Sequence, residues 1–419
     1  MTIILNGRVI DPANKRDEVT NILLKNGKIE QISPEISPAD YPRAEVTDAA
    51  GMWVMPGFID LHVHLRDPGQ HYKETILTGA KAAAAGGFTT ICSMANTKPV
   101  ADTPQIIEYI IKTATETGVN VLPVGAITMG LEGKKLTDFA AMKAAGVCAL
   151  SDDGFSITDE DLLAKAMEEA ARHDILLMLH CEDLKEVNGG IIQEGERARE
   201  LGLLGINNIS EASFVKRDLQ CAKKYGTKIH ICHISTEEGL LSMAENPLAT
   251  CEVTPHHFTL TDADIPDLDA NYKMSPPLRS KKDRDKVLDF LKSGKINAIA
   301  TDHAPHHEDE KNLPFDKAPN GIIGLETAVS LTISELRNII TPLKMAELLS
   351  TNPAKILKID KGTLGEGKIA DITIIDPNKE YFIDKTKMYS KARNTPFHGR
   401  KVSGRVIYTI VNGKVVYKD

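Results

Sequence analysis

The stretch PGFIDLHVHLRDPG, residues 56–69, governs the interpretation of the whole chain. It holds an apolar β run that ends in His62-Val63-His64, and side chains two positions apart on a strand point to the same face. Two imidazole nitrogens on one face can ligate a divalent ion such as zinc at about 2.0–2.1 Å each. Taken alone, the pattern fits a hydrogen-bonded or surface histidine pair equally well.

Outward from this stretch, residues 56–358 alternate apolar β runs with helix-like segments. The β runs are Phe58–His64, Phe88–Met94, Val119–Ile127, Val147–Leu150, Ile175–His180, Lys228–His233, Ala249–Thr254 and Ile296–Thr301. Such alternation predicts a parallel α/β sheet, and eight repeats predict a closed (β/α)8 barrel of the TIM type. An open doubly wound sheet is the alternative, but no GxGxxG motif follows the first β run to indicate a dinucleotide crevice.

Both ends of the chain are β-like. Asn6-Gly7, Asn26-Gly27 and Asn412-Gly413 separate short apolar runs, and this dipeptide is a strong hairpin signal because both residues tolerate positive φ. Neither end is long enough to build a core alone. We therefore expect residues 1–55 and 359–419 to form one composite β-sandwich beside a barrel of residues 56–358.

Composition narrows the functional class. The 419 residues are 26% charged and 42% apolar, which is typical of a globular protein with room for a barrel and an appendage. A net charge of -8 indicates no nucleic-acid surface, and the longest apolar stretches fall short of the roughly 18 residues of a membrane span. The first residues lack a secretory signal and the six cysteines are single, so we expect a cytoplasmic location with reduced thiols.

Side chains that can bind metal follow the β runs, and in a barrel these strand ends converge on one mouth. His180 and His233 each close a buried-type run. By strand alternation, His230 and Cys232 should face away from that mouth and serve packing. The candidates at strand ends are His62, His64, Asn96, Asp152, Asp153, His180, Glu182, His233, His256, His257, Asp302, His303 and His306.

Two of these strand ends allow more than one interpretation. Asp152 and Asp153 are adjacent, so only one can face inward, where it could bridge two divalent ions or complete one site. The pair could instead form an Asx turn. Asp302 could bind metal, act as a general base for a metal-bound water, or do both, and the alternative is an Asp that caps the strand end before the next loop.

With these residues in place, the chain resembles the metal-dependent amidohydrolases, and specifically the bacterial class I dihydroorotases. Beyond residues 56–69, the matching stretches are, in order, GGFTTICSMANTKPVADT, LSDDG, HCED, CHIST, EVTPHH, YKMSPPLRS, ATDHAPHHEDEK, NGIIGLET and KIADITIID. They cover nearly the whole chain. Hydantoinases, dihydropyrimidinases and allantoinases typically carry a carboxylated Lys after the fourth strand, whereas LSDDG offers an Asp there.

The resemblance implies a metal centre with one or two Zn²⁺ ions per chain, two being expected. It implies that His62 and His64 bind the first zinc and that Asp153 bridges the ions. His180 and His233 would bind the second zinc. Asp302 would be both a ligand and the catalytic base and acid.

The resemblance also implies a set of substrate contacts. They are His64, Arg66, Asn96, Ser275, His306, Asn320 and Gly321. Ser275 departs from the Asn that the family often has before Pro-Pro, and its hydroxyl has a shorter reach. The Arg66 fork suits a carboxylate bound through two parallel hydrogen bonds, and an ion pair with Asp67 or Glu74 is the alternative.

The implied activity is the reversible zinc-dependent hydrolysis of the cyclic amide of (S)-dihydroorotate to N-carbamoyl-L-aspartate, in de novo pyrimidine (UMP) biosynthesis. The alternatives are a hydantoinase-type or allantoinase-type enzyme, and a non-catalytic homologue that scaffolds a partner enzyme. The expected partner is a small-molecule substrate. A homo-oligomer and an association with aspartate transcarbamoylase both stay open. The polar stretch His306–Asn320 should overhang the mouth, either as a mobile closing loop or as a solvated one.

Overall fold

The computed structural model describes residues 1–419, apart from the side chain at position 245. The strands are β1 (Thr2–Asp11), β2 (Arg16–Lys25), β3 (Lys28–Ile32), β4 (Glu45–Asp48), β5 (Trp53–Pro56), β6 (Phe58–Val63), β7 (Phe88–Ser93), β8 (Asn120–Gly125), β9 (Ala149–Leu150), β10 (Leu177–Leu179), β11 (Ile192–Gln193), β12 (Gly205–Ile206), β13 (Ile229–Ile231), β14 (Ala249–Val253), β15 (Ala298–Ile299), β16 (Ile372–Phe382), β17 (Lys401–Val411) and β18 (Lys414–Lys418). The α-helices are α1 (Ile76–Ala85), α2 (Pro104–Ala114), α3 (Phe139–Ala145), α4 (Glu160–His173), α5 (Leu184–Val187), α6 (Glu196–Glu200), α7 (Ile209–Tyr225), α8 (Glu237–Ser242), α9 (Pro255–Thr259), α10 (Lys281–Lys292), α11 (Glu308–Lys311), α12 (Ala328–Leu336), α13 (Pro342–Ala346) and α14 (Asn352–Leu357).

The central sheet is a nearly closed parallel barrel. Its eight strands follow the order β6-β7-β8-β9-β10-β13-β14-β15, and every neighbouring pair is parallel. The two edge strands meet just beyond their ends, because the His64 amide donates to the His303 carbonyl at 2.9 Å and Val63 forms a parallel bridge with His303. The predicted (β/α)8 barrel is confirmed.

Helix α4 shows how local sequence sets an element of this barrel. Asp159 accepts a hydrogen bond from the Leu162 amide and so caps the first turn. The buried side chains recur at helical spacing, at Leu163, Ala166, Met167 and Ala170. The helix therefore packs one apolar face inward and leaves its charged face to solvent.

The two ends of the chain share a second sheet, which is mixed. Its order is β18-β17-β16-β5-β1-β2-β3, with β4 beside β1, and the antiparallel β5–β16 pair joins the N-terminal strands to the C-terminal strands. Its apolar face forms a separate core around Ile4, Val54 and Ile372. The expected β unit from both chain ends is confirmed, while its boundaries at residues 55 and 359 stay a prediction. Within the described residues, every helix is too short or too polar to cross a bilayer.

Candidate metal centre

The structure brings the six predicted metal ligands together at the carboxyl ends of the barrel strands. All six are buried, and they come from β6 and from the segments that follow β6, β9, β10, β13 and β15. Three overlapping groups have ligand atoms within 4.8 Å of one another: His62, His64 and Asp153; His62, His233 and Asp302; and Asp153, His180 and His233. Residues far apart in sequence therefore share one pocket of nitrogen and carboxylate ligands.

Asp153 lies at the centre of this cluster. Its Oδ1 is 3.2 Å from His62 Nε2, 3.5 Å from His233 Nε2 and 3.8 Å from His180 Nδ1. Its Oδ2 is 3.4 Å from His64 Nε2. One carboxylate thus faces all four imidazoles, which is the arrangement expected of a bridging ligand.

Asp302 approaches the same cluster from the eighth strand. Its Oδ1 lies 3.0 Å from His64 Nε2 and 3.7 Å from His62 Nε2. The backbone is held in the left-handed region at Asp302 (φ 46°), at His233 (φ 33°) and at Arg66 (φ 58°). Such backbone is costly for residues other than glycine and concentrates at functional sites.

The side chains fit a divalent metal. His62 Nε2 and Asp153 Oδ1 are buried and have no hydrogen-bond partner among the described residues. A buried polar atom without a partner costs about 1–3 kcal/mol, so two such atoms facing each other call for a bound group. Imidazole and carboxylate together are the donors that zinc takes in catalytic sites. The site therefore suits a divalent metal ion.

Of the adjacent aspartates, only Asp153 joins the cluster. Asp152 Oδ1 accepts the backbone amides of Ile127 and Thr128 at 2.8 and 2.9 Å, and its Oδ2 accepts the Thr128 hydroxyl. Asp152 thus ties the loop after β8 to the loop after β9. The geometry agrees with the expectation that only one of the two aspartates faces the cluster. Asp152 does not form the alternative Asx turn, because its side chain accepts from Ile127 and Thr128, which lie 25 and 24 positions earlier in the chain.

Sequence reasoning missed Glu252, which lies behind His62. Its Oε1 is 2.9 Å from His62 Nδ1 and its Oε2 is 3.0 Å from His230 Nε2, and all three side chains are fully buried. Burial opposes ionisation of Glu252, but the hydrogen bonds from His230 and His62 outweigh it and lower its pKa to about 2. The only signal in the sequence was a glutamate inside an apolar β run.

Cys232 also differs from expectation. Strand alternation predicted that it faces away, yet its Sγ groups with His62 and Glu252. Alternation holds only within a strand, and β13 ends at Ile231, before the positive φ of His233 turns the backbone.

The predicted substrate contacts lie beside the cluster. Arg66 Nε donates to the Pro305 carbonyl at 3.2 Å, and its Nη2 lies 3.3 Å from His306 Nε2. His64 Nδ1 is 2.8 Å from Asn96 Oδ1. Burial, together with the charges of Arg66 and Lys73, holds the pKa of His306 well below its usual value. This corner is rich in donors and suits an anionic group.

The alternative partners of Arg66 are engaged elsewhere. Asp67 accepts from His71 and from the Tyr109 hydroxyl, each at 2.8 Å. Glu74 accepts from Ser390 and lies 3.4 Å from His303. The Arg66 fork is therefore left for the corner beside His306.

The remaining predicted substrate contacts, Ser275, Asn320 and Gly321, differ in their surroundings. Ser275 Oγ donates to Glu182 Oε1 at 3.3 Å, and Glu182 Oε2 lies 3.5 Å from His180 Nε2. A Cβ at Gly321 would lie 2.6 Å from His306 Cδ2, so only glycine fits there. Asn320 is exposed. Ser275 is thus connected to the ligand cluster through Glu182 and His180, and Gly321 shapes the pocket by its lack of a side chain.

The chain is similar to known proteins along its whole length. A family model described as dihydro-orotase-like matches residues 51–239, and an amidohydrolase family model matches residues 318–417. A dihydroorotase from Geobacter metallireducens is 46% identical over 99% of this chain and 99% of the relative. One from Clostridioides difficile is 44% identical over 100% of both chains. The L-hydantoinase (dihydropyrimidinase) from Arthrobacter aurescens superposes with a TM-score of 0.89 at 25% identity, over 100% of this chain and 96% of its own.

Proposed function

The chain belongs to the dihydroorotase family, which makes it a cyclic amidohydrolase, and from this premise we propose that it is a zinc enzyme with two ions per chain. The proposed reaction is the reversible hydrolysis of the cyclic amide of (S)-dihydroorotate to N-carbamoyl-L-aspartate, a step of pyrimidine biosynthesis. The observation that carries the zinc proposal is the carboxylate of Asp153 facing four imidazoles, with His62 Nε2 and Asp153 Oδ1 unpartnered among the described residues.

The proposed ligands divide between the two ions. His62 and His64 would hold one, His180 and His233 the other, with Asp153 between them and Asp302 completing the set. When bound, zinc supplies a Lewis acid that polarises the amide carbonyl and acidifies water. The ligands themselves come from separate strands of a rigid barrel, so their positions are largely set before substrate arrives.

Asp302 is the proposed proton carrier. Its carboxylate would take the proton of the attacking water and pass it to the ring nitrogen that leaves. The two atoms are neighbours around the same carbonyl carbon, so one carboxylate can serve both steps. The distance of 3.0 Å between Asp302 Oδ1 and His64 Nε2 supports this role because it places the carboxylate within the ligand cluster.

Arg66 is the proposed clamp for the ring carboxylate of dihydroorotate. A guanidinium binds a carboxylate through two parallel hydrogen bonds, which a simple hydantoin without a carboxylate cannot form. Asn96 contacts His64 and His306 contacts Arg66 in this donor-rich corner. This carboxylate is the proposed basis for preferring dihydroorotate over the substrates of hydantoinases, whose fold the chain shares.

Metal analysis combined with a substrate panel tests the proposal. We expect about two zinc ions per chain and rapid ring opening of dihydroorotate, with little turnover of hydantoin, dihydrouracil or allantoin. Preferred turnover of hydantoin would support the alternative enzyme class. Purified protein that binds no zinc and turns over none of the four would support the non-catalytic scaffold.

We also propose a cytoplasmic location. Self-association and association with aspartate transcarbamoylase are the two assemblies consistent with the family. The mass of the chain in solution, measured alone and mixed with aspartate transcarbamoylase, distinguishes them.

A further inference from the structure

We propose that Lys273 and Lys311 are positioning residues for substrate binding. Their two ammonium groups, which we call the ammonium floor, bind backbone carbonyls of residues 306–321, the segment to which Lys311 itself belongs. This proposal rests on the proposed function, in which His306, Asn320 and Gly321 of that segment contact substrate. We call the segment 306–321 the rim loop.

The two ammonium groups bind four backbone carbonyls of the rim loop. Lys273 Nζ donates to the carbonyls of Phe315 and Ala318, each at 2.7 Å. Lys311 Nζ donates to those of Pro319 and Gly321 at 2.9 and 3.1 Å. The carbonyls of a stretch without regular secondary structure are thus collected on two points, much as they would be by a bound cation.

The burial of both lysine side chains shows that these contacts belong to the folded structure of the loop. Lys273 and Lys311 are each only 6% exposed, whereas Lys317 on the same loop has a side chain 71% exposed. A buried ammonium group is costly unless its three N–H groups are satisfied, and here backbone carbonyls accept two of them from each lysine. Phe315 and Ala318, whose carbonyls are bound, pack their side chains into an apolar cluster.

The floor connects directly to the proposed substrate contacts. The Gly321 amide donates to the Lys273 carbonyl at 2.9 Å, so both ends of Lys273 hold the loop. Gly321 in turn lies against the His306 ring, which faces Arg66. A chain of contacts therefore runs from the ammonium floor to the corner that would receive the substrate carboxylate.

The loop is also held at its side. Glu310 forms an ion pair with Lys73 at 3.0 Å and accepts the Tyr72 hydroxyl at 3.1 Å. Lys73 Nζ lies 3.2 Å from His306 Nδ1. With floor and side both tied, the loop is built in its working position, so losing the floor should weaken binding more than it slows the chemical step.

Replacing each lysine by methionine tests this, since methionine has a similar length and no ammonium group. For Lys311→Met and Lys273→Met we expect KM for dihydroorotate to rise about tenfold or more while kcat changes by less than about threefold and zinc content is unchanged. Lys317→Met, the same change at the exposed lysine of the loop, is the control and should leave KM unchanged. Unchanged KM in both buried-lysine variants, or a fall in kcat alone, would overturn the proposal.

Hydrogen exchange measures the order of the loop without substrate, first in the wild-type chain and then in the variants. The amides of Lys317, Ala318 and Gly321 donate to backbone carbonyls, so they should exchange slowly in the wild-type chain and faster in the methionine variants. Exchange at the rate of an unstructured chain in the wild type would overturn the proposal even if the variants failed to fold. A wild-type chain that failed to open dihydroorotate would overturn the proposed function and leave this result standing.

Discussion

At the scale of single residues, the metal centre is organised by carboxylates on two sides of His62. Asp153 faces the Nε2 side of the ring, and Glu252 binds Nδ1 at 2.9 Å. A carboxylate that accepts the Nδ1 proton leaves Nε2 free to ligate and keeps the ring in one orientation. His230 occupies the second oxygen of Glu252 and so keeps the carboxylate in place.

Glu252→Leu should weaken zinc binding by about 10- to 100-fold, because His62 loses the partner that fixes its tautomer. Glu252→Gln keeps an acceptor for Nδ1 without the charge, so its loss should be smaller. Competition with a chromophoric chelator measures the affinity. Asp283→Asn changes another buried carboxylate, bound to Ser280 and Asn208, and is the control. Wild-type affinity in the leucine variant would contradict the assigned role of Glu252.

Asp302→Asn should lower kcat by about 10²–10⁴-fold, because the amide cannot carry the proton between water and ring nitrogen. The fold should survive, since asparagine tolerates the left-handed backbone at φ 46°. Steady-state kinetics and thermal unfolding of the same preparation measure both quantities. Near-normal turnover would exclude Asp302 as the proton carrier.

At the scale of elements, the carboxylates of Glu74, which is buried, and Glu326, which is partly exposed, join the loops around the barrel mouth. Glu326, just before α12, accepts the Tyr389 amide at 2.9 Å and the Ser390 amide at 3.0 Å. Ser390 also donates to Glu74, which lies 3.4 Å from His303. The segment before β17 is therefore held against the barrel by two acidic side chains.

Glu326 should make stability depend on pH. Burial raises its pKa to about 7, above the ordinary value of 4.5, so the folded chain binds this proton more tightly than the unfolded chain. The free energy of unfolding should then fall as pH rises from about 4.5 to about 7, by about 2 kcal/mol for this partly exposed group.

Urea unfolding of the wild type and of Glu326→Gln at pH 5 and pH 8 measures this contribution. The difference between the two pH values should be smaller in the variant, while the exposed control Glu308→Gln should keep the wild-type difference. An identical pH dependence in the wild type and Glu326→Gln would show that Glu326 does not titrate in this range.

At the scale of the whole molecule, the proposed zinc ions would connect strands on opposite sides of one barrel. The ligands come from five places along the barrel sheet, from β6 to the segment after β15. A ligand that binds only the folded state stabilises that state. Binding would also satisfy the buried atoms of the centre that have no hydrogen-bond partner among the described residues, which adds to the stabilisation.

Removing the metal should therefore lower Tm, and adding zinc back should restore it. Thermal unfolding of the chelator-treated chain, with and without added zinc, measures the change. Magnesium, which prefers oxygen ligands, is the control ion and should restore little. Equal Tm values with and without zinc would contradict a metal centre at this place.

Much of the fold and part of the centre could be predicted because their signals are local. Alternation along β6 places His62 and His64 together, and strand–helix alternation predicts the barrel. The pairing of His62 with Glu252 spans 190 positions, and no local pattern encodes it. The same holds for Lys311, whose charge predicts exposure and whose burial depends on the carbonyls folded around it.

The sequence by itself determined the order of strands and helices, the composite sheet from both ends and the residue types at each strand end. Only the tertiary structure decided which of Asp152 and Asp153 faces the cluster and that Cys232 and Glu252 lie beside His62. It also decided that two lysines are buried against the carbonyls of the rim loop. The physical reason is that periodicity acts over a few residues, whereas side-chain partners are set when the barrel closes and distant strand ends meet.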